Sequence, residues 1–369
     1  MVKYLHVVPL GKSKSLKSFS KVIVDLLSSK NMLTNNKVFI NNKNATKDDL
    51  MEVQCYIKEK FDTQDDSFFD TYKFFNALIN YERVVFHELP SVTQRLLYGF
   101  FLHLLNRQVD WVVWGGDLYD QNYFALVEND TSKSLKLLIL KLVNKFFVSK
   151  VNCIYSVRDD FCAVKLVHKN MNFKFKELYY PVPLPNVPAG SLKDRKRILI
   201  SHSASHRNNH YEVLNLVKSI DNGEVEILAI LSYGEESPEV VDDLIKTGFQ
   251  LFGSRFVPIR DFLDQDSYWE LLSTVNISIS LSRRQSSIFT TAAMLSLGVK
   301  ILMYSDISPY SFYTDNGLSV YDVVTELKNS DVLAVDEDLM IENSIIAKNL
   351  WSLNKVSVDF LNEFNGLDV

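Results

Sequence analysis

Pro181-Val182-Pro183-Leu184-Pro185-Asn186-Val187-Pro188-Ala189-Gly190 holds four of the nine prolines in a chain of 369 residues. Proline fixes φ and lacks an N–H, so alternating prolines continue neither a helix nor a central strand. The stretch predicts a stiff extended connector near the middle of the chain. The charge balance changes at the same place. Residues 1–185 carry 25 Lys and Arg against 19 Asp and Glu, whereas residues 186–369 carry 15 against 26. A basic half and an acidic half, each of roughly 180 residues, match two domains in tandem.

Working outward from the connector, both halves alternate short β-rich runs with helical periods. Before it, Tyr4–Val8, Val38–Ile40, Val53–Ile57, Val84–His87, Val109–Trp114, Cys153–Val157 and Leu178–Tyr180 read as strands. Leu16–Ser29, Phe68–Ile79, Thr93–Leu105, Ser134–Val148 and Phe161–Val167 read as helices. After it, strands at Arg197–Ser201, Val225–Leu231, Asn276–Leu281 and Val299–Tyr304 alternate with helices. These fall at Asn209–Ile220, Glu239–Thr247, Ser267–Ser273 and Ser286–Leu297, and Asp336–Asn349 and Val356–Phe364 follow. Such alternation predicts parallel sheets covered by helices, hence an α/β chain of two Rossmann-like domains facing each other across a cleft.

Several classes lose support. Three cysteines, Cys55, Cys153 and Cys162, make no disulfide framework and lack metal-ligand spacing, which favours a reducing compartment. No apolar run reaches the ~18 residues that span a bilayer. Lysines at 12, 14, 17 and 21 interrupt any signal-peptide pattern. No glycine-rich dinucleotide fingerprint or P-loop is present, so no cofactor is expected. The basic excess of the first half lacks a nucleic-acid-binding motif, so nucleic acid is not an expected partner.

Chemistry is expected where parallel strands end, because ligands bind at their carboxyl edge. In Asp110-Trp-Val-Val-Trp-Gly-Gly-Asp-Leu-Tyr119 an apolar strand meets Gly115 and Gly116, and Asp117 follows. Asp117 is placed to orient or deprotonate a substrate hydroxyl, or merely to cap the next turn. His87 ends another strand and is a second base candidate or a structural histidine. The second half opens with Ile198-Leu-Ile-Ser201-His202-Ser203-Ala-Ser205-His206-Arg207, a hydroxyl-rich loop running into a helix near Asn209. Backbone N–H groups there, with Ser201, His202, Ser203 and Arg207, form an anion site suited to a diphosphate. The three nearby histidines lack an acidic or thiolate partner, so no metal is expected. Arg283, Arg284, Gln285, Ser286 and Ser287 precede another helix, and planar guanidiniums suit phosphate unless local carboxylates neutralise them. Ser232 and Tyr233 end a third strand and can receive a base or sugar. Ser132–Lys150 is basic and strongly apolar, fitting a core helix or one lying on a membrane. Lys12 and Lys14 can face anionic headgroups or an acceptor diphosphate.

In order, these segments resemble glycosyltransferase family 56, the bacterial TDP-Fuc4NAc transferases acting on the lipid-linked precursor of enterobacterial common antigen. Trp114-Gly115-Gly116-Asp117-Leu118-Tyr119 stands where the family has Trp-Gly-Ala-Asp-Leu-Tyr. Val85-Phe86-His87 matches a family strand ending in histidine, although Glu88-Leu89 replaces its Gly-Gln. Ile198–Ile200 with Ser203, Asn209 and His210 follows the family's donor strand and loop, with His202 in place of Asn. Arg284-Gln285 matches the first half of Arg-Gln-Gln-Gly, and Ser286-Ser287 replaces the rest.

The resemblance implies a metal-independent enzyme of the GT-B fold, moving a deoxy-amino sugar from a nucleotide-sugar donor, TDP-linked by preference. The acceptor would be a lipid-linked or other glycan in cell-envelope polysaccharide synthesis. It places acceptor binding, with Lys12, Lys14, Gly115, Gly116 and Tyr119, in residues 1–182. A linker at 183–195 leads to donor binding in residues 196–349, and a final helix in 350–369 crosses back to the first domain. It implies peripheral attachment at the cytoplasmic face of the bacterial inner membrane. Three other readings stay open on the residues alone: a nucleotide-sugar epimerase, a protein glycosyltransferase, and a non-catalytic nucleotide-binding protein at a membrane.

Overall fold

The computed structural model describes residues 3–11, 14–28, 36–43, 46, 48, 51–53, 55–56, 71–113, 118, 135–178, 180–187, 196–234, 236–283, 287–329 and 331–364. The chain forms two units, Met1–Pro181 with Leu353–Val369, and Val182–Ser352.

The first unit runs β1 (Tyr4–Gly11), α1 (Lys14–Ser28), β2 (Asn36–Lys43), α2 (Thr71–Asn80), β3 (Arg83–Phe86), α3 (Val92–Leu104), β4 (Gln108–Val112), α4 (Leu135–Val148), β5 (Val151–Tyr155), α5 (Arg158–Val167) and β6 (Lys174–Lys176). Its sheet is ordered β2-β1-β3-β4-β5-β6 with every pairing parallel. The second unit runs β7 (Arg197–Ser201), α6 (His210–Ile220), β8 (Glu226–Ile230), α7 (Pro238–Phe252), β9 (Phe256–Ile259), α8 (Gln265–Ser273), β10 (Ile277–Ile279), α9 (Ile288–Ser296), β11 (Lys300–Met303), α10 (Ser308–Asp315), β12 (Tyr321–Asp322), α11 (Val323–Glu326) and α12 (Glu337–Leu350). Its order, β12-β11-β10-β7-β8-β9, is again wholly parallel. Helix α13 (Leu353–Phe364) returns to the first unit.

Both faces of each sheet are covered, so central strands are apolar on both sides. In β1, Leu5 and Val7 enter one core with Trp111 and Phe147. Val8 and Leu10 enter the other with Ile23 and Val24 of α1 and Val356, Phe360 and Phe364 of α13. The sheets therefore bury both side-chain sets of the same strand under different helices.

Local departures from the sequence reading have physical causes. Residues 51–53 and 55–56 are helical where a strand was expected; a short apolar run does not distinguish the two. The strand expected at 178–180 lies earlier, at Lys174–Lys176. Strands β9 and β12 escaped the reading, and both sit on sheet edges. Pro258 inside β9 is tolerated there because an edge strand has one side free of ladder bonds. The proline connector is not free of the core. Val182 is buried in the second unit with Leu184 and Val187 packed nearby, and the Val182 N–H donates to the Trp351 carbonyl at 3.2 Å. Val182, Leu184 and Val187 between the prolines are apolar, so an extended segment can lay them on a core while the prolines keep it straight.

Candidate functional site

In the second sheet the strand order reverses between β7 and β10, and the loops leaving those two strands diverge to opposite sides. That divergence opens a crevice at the carboxyl edge. A void of about 20 Å³ lies there, lined in part by His202, Asn208, Ser278, Ser280 and Thr290. Polar side chains share this lining with apolar ones, Ile200, Ile279 and Met303 among them.

The loop after β7 is held in shape by its own side chains. Asn208 Nδ2 donates to the Ser203 carbonyl at 2.7 Å and to Ser203 Oγ at 3.1 Å. The ring nitrogen Nε2 of His210 lies 3.0 Å from the same carbonyl. Ser205 caps the following 3₁₀ turn, His206–Asn208, and Asn209 then adopts a left-handed backbone with φ 51°. Asparagine is among the few residues that enter this region readily, which explains its place between the turn and α6.

This loop is also tied to both neighbouring loops. Asn209 Nδ2 donates to the Leu281 carbonyl at 2.8 Å, which joins it to the segment after β10. The Ala204 N–H donates to the Tyr233 carbonyl at 2.6 Å, joining it to the segment after β8. Gly234 makes the second approach possible. Its φ is +143°, and a Cβ there would stand 2.3 Å from the Ala204 carbonyl oxygen. Three loops expected to share a ligand are therefore one bonded layer. Tyr233 is about half exposed on it, and Ser203 is buried beneath.

The expected donor residues do not all stay available. Ser201 ends β7, and Ser232 follows β8. Arg207 lies in the 3₁₀ turn. Arg283 is engaged: its guanidinium donates to both oxygens of Asp306 at 2.8 and 2.9 Å and lies 3.5 Å over the Tyr304 ring. The Tyr304 hydroxyl in turn donates to Glu212 at 3.2 Å. A carboxylate thus offsets the Arg283 charge, as the alternative reading of that pair allowed. Ser287 initiates α9, with φ 51° and its hydroxyl donating to Thr290 Oγ1 at 2.7 Å. Arg284, Gln285 and Ser286 lie outside the described residues. Among those described, no cluster of three or more His, Cys, Asp or Glu residues is placed to hold a metal ion.

In the first unit the strand order reverses between β1 and β3, which again marks the carboxyl edge of those strands. His87 follows β3, but it is fully buried. Both ring nitrogens are occupied. Asn36 Nδ2 donates to the Phe364 carbonyl at 3.3 Å, so Asn36 Oδ1 accepts from His6 Nε2 at 2.8 Å. His6 Nδ1 then accepts from His87 Nε2 at 2.9 Å, and His87 Nδ1 accepts from the Tyr180 hydroxyl at 2.6 Å. Burial lowers the pKa of His6 to about 4, against a raising effect of Asn36. Burial, then the charge of His6, lowers that of His87 well below its ordinary value. His87 is thus a neutral member of a buried chain, an arrangement that the structural reading of this histidine allowed. The sequence reading missed Asn36, His6 and Tyr180, whose partnership spans distant segments and has no local signature.

Lys14 begins α1. Asp117, Gly115, Gly116, Tyr119 and Lys12 lie outside the described residues. Leu118, within the same motif, is buried in the core with Trp111.

The fold is shared, at low sequence identity, with solved structures that include a galactosyltransferase. HepE of Anabaena, solved with UDP, matches with a TM-score of 0.68 at 7% identity, over 99% of this chain and 100% of that one. The lipopolysaccharide outer core galactosyltransferase WaaB matches with a TM-score of 0.63 at 11% identity, over 98% and 100%. The N-terminal domain of Candida albicans trehalose-6-phosphate phosphatase matches with a TM-score of 0.66 at 9% identity, over 100% and 97%. These likenesses give the GT-B fold. The model of the 4-alpha-L-fucosyltransferase family, glycosyl transferase group 56, matches residues 79–353, about three quarters of the chain. The match runs from just before β3, through the loops after β7, β8 and β10, to the start of α13. The chain belongs to this family and is a glycosyltransferase that uses a nucleotide-sugar donor.

Proposed function

We propose that the chain transfers a deoxy-amino sugar, Fuc4NAc from a TDP-sugar, to a lipid-diphosphate-linked oligosaccharide in bacterial surface polysaccharide synthesis. The second unit takes the donor and the first the acceptor, at the cytoplasmic face of the inner membrane. The observation that carries the donor half is the bonded layer at the β7/β10 reversal. Helices α6 and α9 start just after the loops that leave β7 and β10, on the two sides of that reversal, and N–H groups at helix starts favour a diphosphate. Asp306 already balances Arg283, so Arg284 is the guanidinium assigned to the leaving diphosphate. Ser201, His202, Arg207, Ser232, Tyr233, Gln285, Ser286 and Ser287 complete the donor surface, with Ser203 buried beneath it and Arg283 held beside it.

The acceptor half rests on the family resemblance of the motif around Asp117. Asp117 takes the proton of the attacking hydroxyl, and Gly115 and Gly116 let the backbone come close to the acceptor. Tyr119, Lys12 and Lys14 meet its sugar and diphosphate. As the glycosyl bond to the diphosphate breaks and the acceptor oxygen attacks the anomeric carbon, negative charge grows on the leaving phosphate. One preorganised contact to it contributes about 2–4 kcal/mol in the transition state.

Thermal shift with TDP, UDP, GDP and CMP tests the donor, since a ligand bound only by the folded state raises its melting temperature. TDP should give the largest shift; a larger shift with another nucleotide overturns the TDP assignment. Arg284→Ala should reduce that shift. Asp117→Asn should keep it while transfer to a lipid-diphosphate glycan falls by about a hundredfold or more. Normal transfer by Asp117→Asn removes Asp117 as the base. Transfer should persist in excess chelator, and loss of activity restored by Mg²⁺ would overturn the metal-free mechanism.

A further inference from the structure

Helices α3 and α4 lie side by side on one face of the first sheet. Both bury one apolar stripe, with Tyr98 and Leu102 from α3 and Phe147 and Val148 from α4 in the same core. Each helix also carries a second apolar stripe turned outward. On α3 it is Leu96, Leu97, Phe100 and Leu104; on α4 it is Leu135, Leu138, Ile139 and Leu142. These eight side chains are 36–70% exposed. The α4 set follows the i, i+3, i+4, i+7 spacing of a single helix face. A helix that only covers a sheet ordinarily presents polar residues there.

The two stripes form one surface because the helices are locked together. Gly99 of α3 sits against the Phe146 ring, where a Cβ would come within 3.0 Å. His103 stacks on the same ring at 4.5 Å, and Arg95 donates to Asn144 Oδ1. Both helices rest on the same sheet face, so their outward sides point away from it together.

The charge carried by the two helices is of one sign. Neither helix contains an Asp or Glu. Lys141 and Lys145 are exposed along one flank of the α4 stripe, and Lys150 follows the helix end. A second copy docking by the same surface would set these lysines against their counterparts, with no carboxylate on either helix to answer them. An anionic bilayer answers both features: acyl chains accept the leucines and Phe100, and headgroups meet the ammonium groups. No helix among the described residues is long and apolar enough to cross a membrane, so the contact lies along the surface.

We infer that the outward faces of α3 and α4 dock the first unit on an anionic lipid surface. This deepens the proposed function by giving a lipid-linked acceptor a route to the unit that takes it, and it rests on that reading for its purpose alone.

The test is co-sedimentation of the full chain with vesicles. One set is phosphatidylcholine alone; the other contains one third phosphatidylglycerol. Binding to the anionic set should exceed binding to the neutral set by about tenfold and weaken with salt. Phe100→Ser with Leu142→Ser should lower it by about tenfold with an unchanged circular dichroism spectrum and melting temperature. Lys141→Glu with Lys145→Glu should remove the preference for phosphatidylglycerol. Ile341→Ser with Ile345→Ser, which alters exposed apolar residues of α12, should leave binding unchanged.

Equal or absent binding of the parent chain to the two vesicle types overturns the inference, as does unchanged binding by the Phe100/Leu142 variant. So does a dimer in sedimentation equilibrium that this variant dissolves, or capture of an acidic protein by a chain that ignores vesicles. Transfer to a short-chain, water-soluble acceptor separates the two ideas. Transfer without vesicle binding defeats the docking surface alone; vesicle binding without transfer from any donor defeats the proposed reaction alone.

Discussion

His6, His87 and His168 are histidines held neutral by burial. The pKa values of His6 and His168 lie at about 4 and that of His87 well below its ordinary value. In the unfolded chain each titrates near its ordinary value, so the unfolded state takes up protons first as pH falls. Their stabilising effect is complete above about pH 6.5 and is lost toward pH 4, by about 3 kcal/mol for each of His6 and His168. Asp110 acts in the opposite sense. Burial raises its pKa to about 6 despite Arg83, which approaches both its oxygens at 3.0 Å. Protonation of Asp110 in the folded state therefore offsets part of this loss as pH falls below about 6. The net outcome is a falling urea midpoint between pH 6.5 and 4, and a His168→Asn chain should show a shallower fall. Residues of this kind were only half readable from the sequence. His87 stood out as an ionisable group at a strand end, but its neutrality comes from burial and from His6, which chain order does not place beside it.

Helix α13 shows what was readable among the elements. Its apolar period at Val356, Phe360 and Phe364 is visible in the sequence, and those residues are fully or nearly fully buried. Phe360 meets Tyr180 and Phe364 at ring separations of 5.7 and 5.6 Å. Phe360→Ala should therefore destabilise the first unit by about 3–5 kcal/mol, measured by urea unfolding followed in that unit. Most helices and central strands were readable for the same reason: their burial imposes a period on the residues. The two edge strands were not, because an edge makes weaker demands on side chains and admits Pro258. The tie from Asn209 to Leu281 was also hidden, since it joins loops whose residues carry no periodic pattern.

At the scale of the molecule, the proline run and the change in charge balance both fall where the two units meet in sequence. Each unit has a sheet and cores of its own. Unfolding should therefore proceed in two calorimetric steps. A nucleoside diphosphate at a hundred times its Kd should stabilise only the step belonging to Val182–Ser352, by about 2.7 kcal/mol. A shift confined to the other step would place the donor on the wrong unit. The donor loops were readable as loops at strand ends, while their binding into one layer required the strand order, which local sequence does not encode.

The membership of Leu353–Val369 in the first unit has a consequence for how the protein is made. Tyr4 and His6 are made before the second unit, yet Phe364, whose ring meets both, and Phe360, which shares the core with Tyr4, follow the whole of Val182–Ser352. The second unit has every residue of its own once Ser352 leaves the ribosome. The usual order, in which the amino-terminal part finishes first during synthesis, is then reversed. A nascent chain stalled just after Ser352 would carry a finished second unit and a first sheet still lacking the helix that covers Tyr4.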